Sequence, residues 1–192
     1  MRKTGSTFLS TVLQEELPSG TLSPGSEHAD WSKIPSGADD RPVLVYVRNP
    51  WDWYVSWYHF NLMQGGTGNG YWRVLSERGE LGFAETMRKA LRASVAIMGA
   101  DLFSTLFRNL IGDGLNSERL TVGRFESLVD DLERFLATAG VDLDADAITR
   151  IRARAPVNSS SHGPYGDYYD DELRELVGNS CQPLIERFGY GF

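Results

Sequence analysis

The chain has 192 residues, enough for one domain with a sizeable core. Its 41% hydrophobic and 23% charged residues are the balance of a globular protein, and its formal net charge of −7 excludes a broadly basic nucleic-acid-binding face. The lone Cys181 excludes an intrachain disulfide framework or a multi-cysteine zinc site, and no apolar run reaches the roughly 18 residues of a membrane span. With no signal-type apolar segment, the expected location is the cytoplasm and no membrane partner is expected. No internal repeat is visible, and residues 1–192 read as a single domain.

The first element is a turn feeding a helix. Gly5 permits a tight backbone turn, Ser6 and Thr7 suit helix entry, and Phe8, Val12 and Leu13 follow at helical intervals until Pro18. Such a turn presents free N–H groups and the positive end of a helix dipole, which suits phosphate or sulfate, and Lys3 adds a cation beside it. It is not a Walker A loop, because the lysine precedes the only glycine. Residues 18–42 are rich in Pro, Gly, Ser and Asp and read as loop. His28 lies in this loop, where its near-neutral pKa range suits proton transfer; a solvent-exposed loop histidine is the plainer reading.

Leu44 to Val47 is a short apolar, β-branched run that predicts a buried strand ending at Arg48, where open α/β sheets bind ligands. Asn49 suits an N-cap and Pro50 the first helical position. The helix that follows carries Trp53, Ser56, Trp57 and Phe60 on one face. A strand-end arginine and a helical hydroxyl eight residues later suit one anion, although an ordinary capped core helix reads equally well. Residues 64–70 are glycine-rich and read as a surface loop. Phe83 to Met98 and Leu102 to Ile111 are predicted helices. Residues 119–128 predict a second strand turning into a helix from Leu128 to Ala139, Asp146 to Arg154 a short helix, and Asp170 to Phe188 a last one that stops at Gly189. The other histidines, His59 and His162, are less well placed than His28, and His59 reads as helix packing.

Arg48, Asn49, Pro50 and Ser56 resemble, position by position, the 3′-phosphate-binding segment of sulfotransferases that use 3′-phosphoadenosine 5′-phosphosulfate. Lys3, Thr4, Gly5, Ser6, Thr7 and Phe8 are similar to the 5′-phosphosulfate loop of the same family, with Arg2 in place of its usual proline. His28 stands twenty residues before Arg48, as the family's general base does. Phe125-Glu126-Ser127-Leu128 is similar to the family's Tyr-Glu-Asp-Leu, with Ser127 in place of aspartate, and Phe188 to Phe192 resembles the C-terminal signature of many bacterial-type members.

The alternation of strands and helices makes the fold class α/β. The resemblance narrows it to a small, mostly parallel sheet flanked by helices, of the P-loop NTPase-like sulfotransferase type. In that family a central strand precedes the phosphate loop. Nothing before Arg2 supplies one here, so a shortened sheet lacking that first strand is expected. The resemblance implies 3′-phosphoadenosine 5′-phosphosulfate as co-substrate and no metal. It places Arg2, Lys3, Thr4, Gly5, Ser6, Thr7 and Phe8 around the 5′-phosphosulfate, and Arg48 and Ser56 on the 3′-phosphate. Phe125 either joins Phe8 in stacking on the adenine or simply fills the strand–helix junction. Lys3 and His28 are the implied catalytic residues, with Glu27 as reserve base. The implied acceptor is a hydroxyl on a carbohydrate or other small alcohol, with phenols and peptide tyrosine also open; oligomeric state is left unspecified. A P-loop small-molecule kinase and a degenerate, non-catalytic nucleotide-binding protein are the alternatives.

Overall fold

The computed structural model describes residues 3–17, 30–38, 40–65, 69–154 and 162–192. Their architecture is mostly helical α/β, with two short strands in parallel and helices making up most of the rest. The chain divides into two compact units, residues 1–48 with 107–158, and residues 49–106 with 159–192.

In the first unit, α1 (Ser6–Glu16) follows the Lys3–Gly5 turn, and β1 (Val43–Val47) pairs in parallel with β2 (Leu120–Arg124). The register runs from Val43 opposite Leu120 to Val47 opposite Arg124. A parallel pair puts both C-terminal ends on one side, so the residues that follow, Arg48 and Phe125, become neighbours. α6 (Leu128–Thr138) and α7 (Ala145–Ala153) complete the unit. Val12 and Leu17 from the α1 region, Leu132 and Leu136 from α6 and Ile151 from α7 form its core, with Phe8, Leu9, Leu13 and Leu44 packed against it. Each is apolar at helical spacing, and burial of a Leu or Val side chain stabilises by about 1.5–3 kcal/mol. Arg150 reaches back from α7 to Glu16 at 2.8 Å, and Arg154 pairs with both Glu15 and Glu16.

Gly114 anchors the segment that enters β1. A Cβ there would lie 2.2 Å from the Trp31 ring, so only glycine lets the indole lie flush. The Arg119 guanidinium sits 5.1 Å from the ring centroid of Trp31 and donates to the Ala38 and Arg41 carbonyls.

The second unit is built on α2 (Pro50–Met63). Trp53, Tyr54 and Val55 are wholly buried, and Trp51, Ser56, Trp57, Tyr58 and Asn61 nearly so. The helix is therefore enclosed on most sides, beyond the single face that the Trp53, Ser56, Trp57 and Phe60 spacing predicts. The side-chain oxygen of Asn49 accepts from the Trp51 and Asp52 amides while its Nδ2 donates to the Gly191 carbonyl at 2.8 Å. One residue thus caps the helix and holds the C-terminal tail, where Phe192 meets Trp51 edge-on at 5.6 Å. Tyr54 donates to Asp101 at 3.0 Å, as does the buried Cys181 thiol at 3.3 Å.

α3 (Gly70–Leu75) begins inside the stretch expected to be a glycine-rich loop. Asn69 caps it by accepting from Tyr71 and Trp72, and Trp72 and Leu75 bury its inner face. α4 (Phe83–Met98) buries Phe83, Thr86, Met87, Ala90, Leu91 and Ser94. α5 (Leu102–Ile111) runs from the second unit into the first, and its last turn tightens into a 3₁₀ segment over Gly112–Asn116. The predicted final helix is two, α8 (Asp171–Ser180) and α9 (Gln182–Phe188), broken at Cys181. Pro183 lacks the N–H that a continuous helix would give to the Asn179 carbonyl, so the ladder cannot run through. Among the described residues no single helix is long and apolar enough to cross a membrane.

Candidate functional site

The site in the first unit grows from the strand register. Arg48 follows the last residue of β1 and is 7% exposed. Phe125 follows the last residue of β2, and its ring lies under the Arg48 guanidinium, 4.3 Å from ring centroid to Cζ. The Arg48 Nη1 donates to the Lys3 backbone carbonyl at 3.1 Å. Strand ends and the turn before α1 therefore meet around one guanidinium.

The turn itself has two left-handed residues, Lys3 at φ 66° and Gly5 at φ 80°, flanking a buried Thr4. For Gly5 this conformation is without steric cost; for Lys3 it costs about 1–2 kcal/mol and needs support from its surroundings. A Cβ on Gly5 would lie 2.2 Å from Leu128 Cδ1 and 3.4 Å from the Phe125 ring, so the turn is pressed against the β2–α6 connection. Gly5 occupies the N-cap of α1 without a side-chain cap, which leaves the helix entry to its backbone amides. The Leu9 amide closes the first turn onto the Gly5 carbonyl at 3.0 Å.

Burial, and to a smaller extent the Arg48 charge, brings the Lys3 ammonium down to about 8. Two cationic side chains, a left-handed turn and a helix N-terminus together suit a phosphate- or sulfate-bearing ligand. Below Phe125, Asp131 fixes the junction by accepting from the Arg124 amide at 2.6 Å and from Ser127 at 3.0 Å. The Tyr46 hydroxyl donates to the Leu128 carbonyl at 2.8 Å. Close packing continues at Gly123, where a Cβ would lie 2.7 Å from the Tyr46 ring.

Of the residues singled out in the sequence, Lys3, Thr4, Gly5, Arg48 and Phe125 come together in this unit. Ser6 and Thr7 open α1, and Thr7 accepts from Thr11 at 3.0 Å through its carbonyl. Phe8 packs against the hydrophobic core of the unit. Ser56 belongs to the second unit, in α2, and is 1% exposed. Arg2, Glu27 and His28 lie outside the described residues.

Sequence reasoning missed three features. The bond from Arg48 to the Lys3 carbonyl and the contact of Leu128 with Gly5 join positions far apart in the chain, and no local pattern announces them. The third is in the second unit. There His59 stacks on His162 with ring centroids 5.5 Å apart and meets Tyr168 edge-on at 5.0 Å. Burial, then the His162 ring, holds His59 below the usual imidazole value, and its Nε2 is buried with no hydrogen-bond partner among the described residues. Among the described residues no cluster of three His, Cys, Asp or Glu side chains could hold a metal ion.

Neither a family model nor a curated protein matches this chain. Among solved structures, the fold is that of a sulfotransferase: the match takes in 98% of this chain and 85% of the other, with a TM-score of 0.56 and 14% sequence identity. The matching structure is mouse sulfotransferase SULT7A1 complexed with PAP.

Proposed function

We propose that this protein is a sulfotransferase that moves a sulfuryl group from 3′-phosphoadenosine 5′-phosphosulfate to an acceptor hydroxyl. The observation that carries the reading is the meeting of Arg48, Phe125 and the left-handed Lys3–Gly5 turn at the C-terminal ends of two parallel strands. The likeness in fold to a sulfotransferase solved with PAP supports it.

In this reading the donor's 5′-phosphosulfate lies against the turn, where Lys3 and the amides at the start of α1 balance its charge. The 3′-phosphate is taken by Arg48. The acceptor oxygen attacks sulfur, the bond from sulfur to the phosphate oxygen breaks, and the acceptor proton passes to His28. Negative charge then grows on the departing adenosine 3′,5′-bisphosphate, where preorganised donors and the Lys3 cation stabilise the transition state. Phe125 serves the nucleotide through Arg48, whose guanidinium it supports.

Incubation with sulfur-labelled donor and a panel of carbohydrates, small alcohols, phenols and tyrosine peptides tests this directly. Transfer of label to one class, lost in His28→Ala and Lys3→Met, is the expected result. Binding of the bisphosphate without transfer to any acceptor class would reduce the protein to a nucleotide-binding module.

A further inference from the structure

We infer that Arg48 is a positioning residue for the Lys3–Gly5 turn: seated on Phe125 and bonded to the Lys3 carbonyl, it ties the turn to the two strand ends. This deepens the functional reading above and rests on it only for the identity of what the turn binds.

The turn has a conformational problem to solve. Lys3 is a non-glycine residue held at φ 66°, a state that persists only where the surroundings fix it. Three contacts do so. The Arg48 guanidinium donates to the Lys3 carbonyl, Leu128 closes on Gly5, and Phe125 lies beside Gly5 while carrying Arg48 on its ring. A planar guanidinium lies flat on an aromatic ring while its edge N–H groups donate to a carbonyl; an ammonium at position 48 keeps the charge and loses that fork. The same guanidinium attracts the Lys3 carbonyl and, less than burial does, disfavours the Lys3 ammonium, so it fixes the backbone of the turn beside a lysine that titrates at about 8.

If Arg48 acted only as a charge for the ligand, Phe125 would be an ordinary filler and the unliganded turn would not depend on either residue. The two possibilities separate in the protein without nucleotide. Hydrogen exchange is read at the Leu9 amide, which bonds the Gly5 carbonyl, and at Ala139 in α6's C-terminal cap as a control in the same unit. The Lys3 ammonium is titrated by site-resolved NMR in wild type, Phe125→Leu, Phe125→Tyr and Arg48→Lys.

Exchange at Leu9 is expected to speed up about tenfold in Phe125→Leu and Arg48→Lys with Ala139 unchanged. The Lys3 midpoint is expected to climb from about 8 toward the ordinary 10.5 in both, although a positive charge remains at position 48. Phe125→Tyr, which keeps the ring face, restores both readouts. Either readout unchanged in both disruptive variants overturns the inference, and so does an equal acceleration at Ala139, which would signal general loosening. Should Phe125→Leu fail to fold, Arg48→Lys carries the test alone. No nucleotide enters the experiment, so failure of wild type to bind the bisphosphate would sink the sulfotransferase reading and leave this one standing.

Discussion

Lys3 sits where burial and the Arg48 charge both disfavour its protonated form, so it titrates near pH 8 in the folded protein. The sign of the pH effect follows. Below about 8 both folded and unfolded chains carry the proton; from about 8 up to the ordinary 10.5 the unfolded chain holds more, so Lys3 makes the free protein more stable as pH rises through that window. An anion prefers the cationic form, so affinity for adenosine 3′,5′-bisphosphate is expected to weaken as pH climbs past about 8. Lys3→Arg should flatten that fall, as isothermal titration across a pH series will read. Gly5→Ala meets Leu128 at 2.2 Å and a φ of 80° at once, and is expected to cost about 2 kcal/mol in urea unfolding. Asn49 offers a finer test. Asn49→Asp keeps the cap oxygen but loses the donor to the Gly191 carbonyl, at an expected cost of about 1 kcal/mol, whereas Asn49→Ala loses the cap as well, for about 2 kcal/mol in total.

At the scale of elements, local chemistry was most legible where a helix boundary depends on one residue. Asn49-Pro50 marked the start of α2, and Gly189, a left-handed cap, marked the end of α9. The break at Cys181 was also written in the sequence, in Pro183, which the predicted single helix from Asp170 to Phe188 runs across. The glycines around α3 masked the plain N-cap of Asn69. What no window of sequence contains is the register of β1 on β2. That pairing is long-range, and it alone makes Arg48 and Phe125 neighbours. Trp53 is fully buried in α2 and packs on Trp57 and Phe103, so Trp53→Ala is expected to cost about 3–5 kcal/mol, readable by denaturant unfolding. Between α1 and α7, hydrogen bonds from Arg150, then from Arg154, hold Glu16 below the usual carboxylate value. The stability this adds is present above the ordinary carboxylate range and lost as pH falls through the folded value. A melting series on acidification should therefore fall less steeply in Glu16→Gln than in wild type.

For the molecule as a whole, the sulfotransferase-type fold was legible because two short motifs, Lys3 to Phe8 and Arg48 to Ser56, stand in the order that the sulfotransferase resemblance requires. The substrate of the proposed reaction was not legible, because specificity lives in loops whose sequences follow no shared physical rule. The turn and the strand ends are proposed to hold the phosphates of the nucleotide, and a ligand that binds only the folded state raises its melting temperature. A thermal-shift titration with adenosine 3′,5′-bisphosphate, beside ATP with magnesium, on wild type and Arg48→Ala tests it most directly. Stabilisation of wild type by the bisphosphate, absent with ATP–magnesium and lost in Arg48→Ala, is the expected result. A shift with ATP–magnesium alone, or none with the bisphosphate at any concentration, would contradict the sulfotransferase assignment.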